Sequence, residues 1–208
     1  MEFYEVIEKR RTTRKFLKKE VSFEAVKRIL EAANRAPTWD HNRNWQYIIL
    51  RTDEEKEYAF PEAKKIAEKF DAERYLNMPR PYAVTLGQKM YGYAMPRQFS
   101  MLKEAPYVII PLFKAKQLSG ENISKLNPFA TIWCVIENIL LAAAAEGLSC
   151  SIRIPLDKEH DAVKARLKIP PTYGIPAFIG IGCADPEEPK LGQNKPDLDK
   201  QIRFGRWK

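Results

Sequence analysis

The chain has 208 residues, with 35 Lys and Arg against 27 Asp and Glu for a net charge of +8, and it is 45% apolar and 11% aromatic. That mix excludes a disordered chain, and at this length one domain over 1–208 can bury roughly 70% of the surface its unfolded form exposes. The longest apolar helical candidate, Phe129 to Ala145, is broken by Glu137 and Asn138, and the acidic opening Met1-Glu2-Phe3-Tyr4-Glu5 is unlike a secretory signal, so neither a bilayer span nor export is expected.

Residues 2–9 predict a short amphipathic helix with Phe3, Val6 and Ile7 on one face. Ser22 is placed to cap a second helix, whose apolar spacing runs from Phe23 to Ala33 and which must end near Ala36 because Pro37 follows. Gln46 to Arg51 reads as a strand, and Asp53 caps a charged helix to about Phe70. Residues 71–104, rich in prolines and aromatics, predict irregular chain with some helix, of the kind that forms a lid or an interface. Tyr107 to Phe113 is apolar nearly throughout, as in a buried strand, and 114–127 is a polar loop. Pro128 to Glu146 predicts the strongest helix, with an apolar stripe so broad that the helix is largely buried and with Gly147 ending it. A strand around Cys150 to Ile154, a helix from Asp157 to Leu167 and a strand from Ala177 to Cys183 precede a basic tail over 185–208. Helices at both ends of a few interleaved strands make this an α+β or α/β layered domain.

Four clusters carry chemistry, and each also has a plain structural reading. Lys9-Arg10-Arg11-Thr12-Thr13-Arg14-Lys15 offers guanidinium forks, hydroxyls and loop amides that suit a phosphate monoester, although cations also collect at helix C-termini for their own reasons. Pro37 to Trp45 packs two tryptophans, His41 and several amides into nine residues, which fits a planar heterocycle or a loop that covers the core edge. Arg153, between Ile152 and Ile154, reads in isolation as pointing to solvent, and Arg203, Arg206, Trp207 and Lys208 read as a solvated tail.

Other chemistries are poorly served. Cys134, Cys150 and Cys183 are odd in number and far apart, which predicts small core fillers and a reducing, cytoplasmic setting. His41 and His160 are too few and too distant for a zinc site, so no metal is expected, and His160 reads as solvated. The one GxG, Gly180-Ile181-Gly182, has Asp185 where a dinucleotide fingerprint needs glycine, and no GxxxxGK occurs. The +8 charge suits nucleic acid, an anionic ligand or a solvated surface, but the lysines sit beside acids on helical faces and the aromatics lack an RNA-stacking pattern. With no Ser/His/Asp order or carboxylate pair, hard chemistry falls to a bound cofactor.

Taken in order, the clusters resemble the nitroreductase family of FMN-dependent oxidoreductases. The landmarks are Arg10-Arg11-Thr12-Thr13-Arg14-Lys15-Phe16 after the first helix, Ala36-Pro37-Thr38 leading to Trp45-Gln46-Tyr47-Ile48-Ile49, Asn138 to Leu148 at the end of the long helix, and the terminal basic pair. The resemblance implies an α+β fold with a central, mostly antiparallel sheet flanked by helices, in a domain-swapped homodimer holding two FMN at its interface. It implies ping-pong hydride transfer from NAD(P)H through FMN N5 to a small electron-poor acceptor, nitroaromatic or quinone-like, with dehalogenation, flavin fragmentation or flavin storage as the alternative and no nucleic acid or membrane partner. By position, Arg10, Arg11 and Thr12 would hold the phosphate and ribityl chain with Arg203 and Arg206, and Arg14 would sit at the pyrimidine edge, where its charge favours the anionic reduced flavin. Pro37, Thr38, Trp39 and His41 would come from the partner subunit, Ile152, Arg153 and Ile154 would run beside the ring, and Gln98 would match an amide at the pyrimidine edge. The chain departs from the family pattern at His41, Arg43, Asn44, Ile154 and Pro155, which alters the substrate floor.

Overall fold

The structure, a computed structural model, describes residues 2–71, 85–114, 122–190 and 195–207, and the side chains of these except 85–89. In chain order it forms α1 (Phe3–Lys9), α2 (Phe23–Ala33), β1 (Trp45–Leu50), α3 (Asp53–Ala59), α4 (Pro61–Glu68), α5 (Thr85–Ala94), α6 (Ser100–Lys103) and β2 (Tyr107–Lys114). There follow α7 (Asn127–Ala145), β3 (Ser149–Arg153), α8 (Asp157–Arg166), β4 (Tyr173–Gly174), β5 (Phe178–Gly182) and α9 (Leu198–Gln201). Short 3-10 turns lie at Trp39–His41, Met95–Arg97 and Ile123–Leu126.

The strands form one sheet in the order β1-β2-β5-β3, with β4 also on β2, and every strand pair in it is antiparallel. β2 is apolar nearly throughout because both of its faces are covered. Tyr107, Ile109 and Phe113 face α2 and α7 with Trp45, Ile179 and Ile181, while Val108, Ile110 and Leu112 face the opposite layer with Phe60, Met101, Leu102, Val163 and Phe178. Pro111, which has no N–H to donate, falls where β2 passes from its pairing with β5, ending at Ile109, to its pairing with β4, beginning at Phe113. Gly180 lets β5 lie against α6: a Cβ there would meet Ser151 Oγ and come within 2.9 Å of the Ala105 Cβ.

Several sequence expectations are corrected. The charged helix expected from Asp53 to Phe70 is two, because Pro61 disfavours a helical Phe60 before it, and the Phe60 ring turns instead into the core against Phe178 at 4.7 Å. α2 stops at Ala33 rather than Ala36, and the two-residue β4 carried no periodic signal. Within α1 only Val6 is buried, while Phe3 and Ile7 are exposed. The long helix α7 buries Ile132, Val135, Ile136, Ile139, Ala143 and Ala144 but leaves Cys134 exposed on its other side, so this cysteine fills no core. Ile123–Ala145 is long and apolar enough to cross a membrane by length and composition, yet its isoleucines from Ile132 onward are committed to the sheet, as in a core helix. Of the 71–104 stretch, residues 72–84 lie outside those described, and the rest is more helical than expected.

Candidate functional site

The segment after α1 is extended and laced to the sheet. Thr12 bridges Cys150, the Thr13 amide donates to the Cys150 carbonyl at 2.8 Å, Leu17 donates to Cys183 at 2.9 Å, and Phe16 bridges Ala184. These bonds hold Arg11, Thr12, Thr13 and Arg14 along the wall of a cavity of about 280 Å3, shared with Lys9, Ser149 and the 184–190 turn. Lys15 is not on this wall but pairs with Asp185, which is part of the lining, at 2.8 Å. The Glu188 carboxylate stays beside it and accepts the Arg14 amide at 2.7 Å.

Arg14 is the unusual residue of this wall. Its Nε is buried and, among the described residues, has no hydrogen-bond partner. Burial holds its guanidinium below the usual arginine range, with Glu188 and Tyr93 opposing that shift. Burial likewise pushes the Glu188 carboxyl above the usual carboxylate range, against the bond from the Arg14 amide. A buried donor without a partner costs on the order of 1–3 kcal/mol, which a bound acceptor would recover. The donor set, two arginines and two threonines on one wall, suits an anionic, oxygen-rich group such as a flavin mononucleotide phosphate and pyrimidine edge.

The other candidate residues lie elsewhere in the chain. Arg153 does not reach solvent. Its Nε and Nη2 donate to the two Glu159 oxygens at 2.9 and 2.7 Å, and its Nη1 donates to Gln98 Oε1 at 2.9 Å, with both charged side chains almost wholly buried. Gln98 spends its amide on the Ala94 carbonyl, so Gln98 and Arg153 belong to one closed network. Ile152 turns to the α2/α7 side, and Ile154, just past the strand, is exposed. Pro37, Thr38, Trp39 and His41 lie at the 3-10 turn beside α7, where the Trp39 amide donates to Thr131 Oγ1 at 3.1 Å. Asp40 and His41 have positive φ there, a strained backbone that turns the loop sharply. Trp39 lines a second cavity of about 470 Å3.

Among the described residues, the Arg10 side chain makes a loose 4.0 Å pair with Glu137. Arg203 donates to the carbonyls of Lys200 and Ile202 and lies over the Trp207 ring, and Arg206 is exposed with it on the tail. Within one chain, then, Arg11, Thr12 and Arg14 share a cavity, Gln98 and Arg153 share a network, and the 37–41 loop and the tail arginines each lie apart from these. Sequence reasoning missed Glu159, which is only six residues past Arg153 but was read with the charged face of its helix, and Glu188, which stands 174 positions from Arg14. It also read His160 as solvated, whereas His160 Nε2 accepts the Ile175 amide at 3.3 Å.

The sequence matches the Nitroreductase family over residues 7–183. The chain belongs to the nitroreductase family. It is 24% identical to the iodotyrosine deiodinase of Thermotoga neapolitana, across 92% of this chain and 94% of that one. It is 26% identical to the nitrobenzene nitroreductase of Ectopseudomonas oleovorans, across 96% and 95%. Among solved structures, the FMN- and NADPH-dependent nitroreductase NfnB from Sphigopyxis sp. strain HMH shares the fold, with a TM-score of 0.75 at 18% identity over 100% of both chains. Solved neighbours among nitroreductases and deiodinases bind FMN. The antiparallel sheet between helical layers is therefore a nitroreductase fold.

Proposed function

We propose that this chain is an FMN-dependent oxidoreductase, working as a homodimer, that takes reducing equivalents from NAD(P)H and passes them to a small electron-poor acceptor, nitroaromatic or quinone-like. The observation that carries the reading is the buried, unpartnered Arg14 Nε on a cavity wall shared with Arg11 and Thr12. Bound FMN supplies a ring that accepts and returns a hydride. The chain's own residues do the rest. Arg11 and Thr12, with Arg10 nearby, hold the phosphate and ribityl chain, and Arg14 keeps a positive charge at the pyrimidine edge in a site dry enough to strengthen it. The Arg153–Glu159–Gln98 network fixes the end of β3, so that Ile152 and Ile154 present an apolar, water-excluding edge to the ring. Pro37, Thr38, Trp39 and His41 lie apart from the Arg14 cavity, with Trp39 lining a different one, which supports their serving the site of the second copy. Arg203 and Arg206, on the exposed tail, would join the phosphate.

A second reading keeps the flavin and changes the acceptor to a halogenated aromatic, and the similarity to iodotyrosine deiodinases supports it. The test begins with the visible absorbance of the purified protein after FMN is added and free flavin removed. We expect a yellow protein, and Arg14→Ala to weaken FMN binding about tenfold, the loss of one charge-assisted bond. A protein that stays colourless ends the proposal. Oxidation of the reduced enzyme by a nitroaromatic, a quinone and a halotyrosine, compared in turn, decides between the two acceptors.

A further inference from the structure

We propose that the 470 Å3 cavity beside Trp39 is the acceptor site, and that its ligand is a planar aromatic compound bearing an anionic substituent. This rests on the reading above that the 37–41 loop reaches the flavin. The floor is built by Trp45 and Phe113, which are direct partners across β1 and β2 on the same face of the sheet. Trp45 Nε1 donates to Asn34 Oδ1 at 2.8 Å, so the indole keeps one orientation. Ile132 of α7 closes the bottom, and Trp39, about half exposed at 49%, stands as a side wall held through its amide by Thr131. A cavity lined by three aromatic side chains favours flat rings.

The charge of the rim selects further. Among the described residues no carboxylate lines the cavity, while Lys114 at the end of β2 and Lys125 in the 3-10 turn both do. Neither ammonium has an ion-pair or side-chain hydrogen-bond partner among the described residues. Of the nearby hydroxyls, Ser124 donates to Asn122, while Thr131 accepts the Trp39 amide and keeps its own hydrogen to donate, and Asn42 and Asn44 also line the cavity. A cationic ring meets two like charges there, a neutral ring uses the walls and the uncharged polar groups, and an anionic ring uses these and both lysines together.

The pair of probes that tests this is 2-naphthoate and its neutral, shape-matched amide, titrated into the purified protein and followed by tryptophan fluorescence. We expect the carboxylate to bind at least about fivefold more tightly at low salt, and the preference to shrink as salt is added. The double substitution Lys114→Gln/Lys125→Gln removes the preference and leaves the amide's affinity unchanged, whereas Trp39→Ala weakens both probes. Equal affinities, no binding of either probe, a preference that survives loss of both lysines, or indifference to Trp39→Ala each overturns the proposal. Flavin content is read in the same samples by visible absorbance. A colourless protein that still prefers the carboxylate sinks the flavin reading but leaves the aromatic-anion site standing, and a yellow protein without the preference sinks the anion site alone.

Discussion

A guanidinium at the end of a strand between two isoleucines ordinarily reaches water. Arg153 instead lies on the face of β3 that packs against α8, where Glu159 presents both oxygens and Gln98 a third acceptor. Because both charges are nearly dry, removing one strands the other, so Arg153→Met should destabilise the fold by about 3–5 kcal/mol, and Arg153→Met with Glu159→Leu should recover much of that loss. Urea denaturation of the single and double variants measures both. Glu188 poses the opposite case. Burial lifts its carboxyl above the ordinary value, so the native state binds this proton more tightly than the unfolded chain does. The ionised form therefore costs stability as pH rises through the native value, and this cost is absent below the unfolded one. Glu188→Gln should raise the melting temperature at neutral pH, and the gain should fade as pH falls into the acid range. A melting series across pH checks the sign. Neither residue's role was legible in the sequence, because Arg153 sits in a strand whose neighbours are apolar and Glu188 sits in a run of acids that looks solvated.

Among the elements, those with a strong period were legible nearly to the residue. β1, β2, β3 and β5 alternate or run apolar for five residues or more, and α2 and α7 carry stripes that match the layer they cover. The cap of α2 was equally readable: Ser22 accepts the Ala25 amide at 3.3 Å at its start. At α3 the cap is Thr52 and not the expected Asp53: Thr52 makes a reciprocal cap with Glu55, whose carboxylate also accepts the Arg51 amide at 2.6 Å. These bonds hold the Glu55 carboxyl below its usual range. Thr52→Ala should cost about 1 kcal/mol, read as a lower thermal midpoint with the fold's circular dichroism unchanged. The break between α3 and α4 was missed because the charged pattern runs on past Pro61, although Pro61 itself disfavours a helical Phe60, whose ring the core then takes up. β4 was missed because its two residues are strand only through Phe113 and Lys114 across from them.

At the scale of the molecule, a single chain leaves much apolar surface uncovered: Phe3, Tyr4 and Ile7 on α1, Cys134 on α7, and Phe204 and Trp207 on the tail, the last two at 90% and 83% exposure. Exposed aromatics at both ends of the chain are what a second copy would cover. Under the proposed homodimer, light scattering should give twice the 24.1 kDa chain mass, and deleting residues 196–208 should shift that equilibrium toward single chains and reduce FMN retention together. A truncated protein that keeps its mass and its colour would separate the tail from both roles.

Periodicity was enough to determine most of the elements and their layering, though not β4 or the break at Pro61, and four short motifs carried the resemblance to the family, because each stripe, cap or motif depends on residues within a few positions of one another. Which charges are spent and which stand free was decided only by the tertiary structure. Arg14 meets Glu188 across 174 positions and Gln98 meets Arg153 across 55, and contacts at such separation depend on how loops close and which strand lies beside which, information that no local pattern carries.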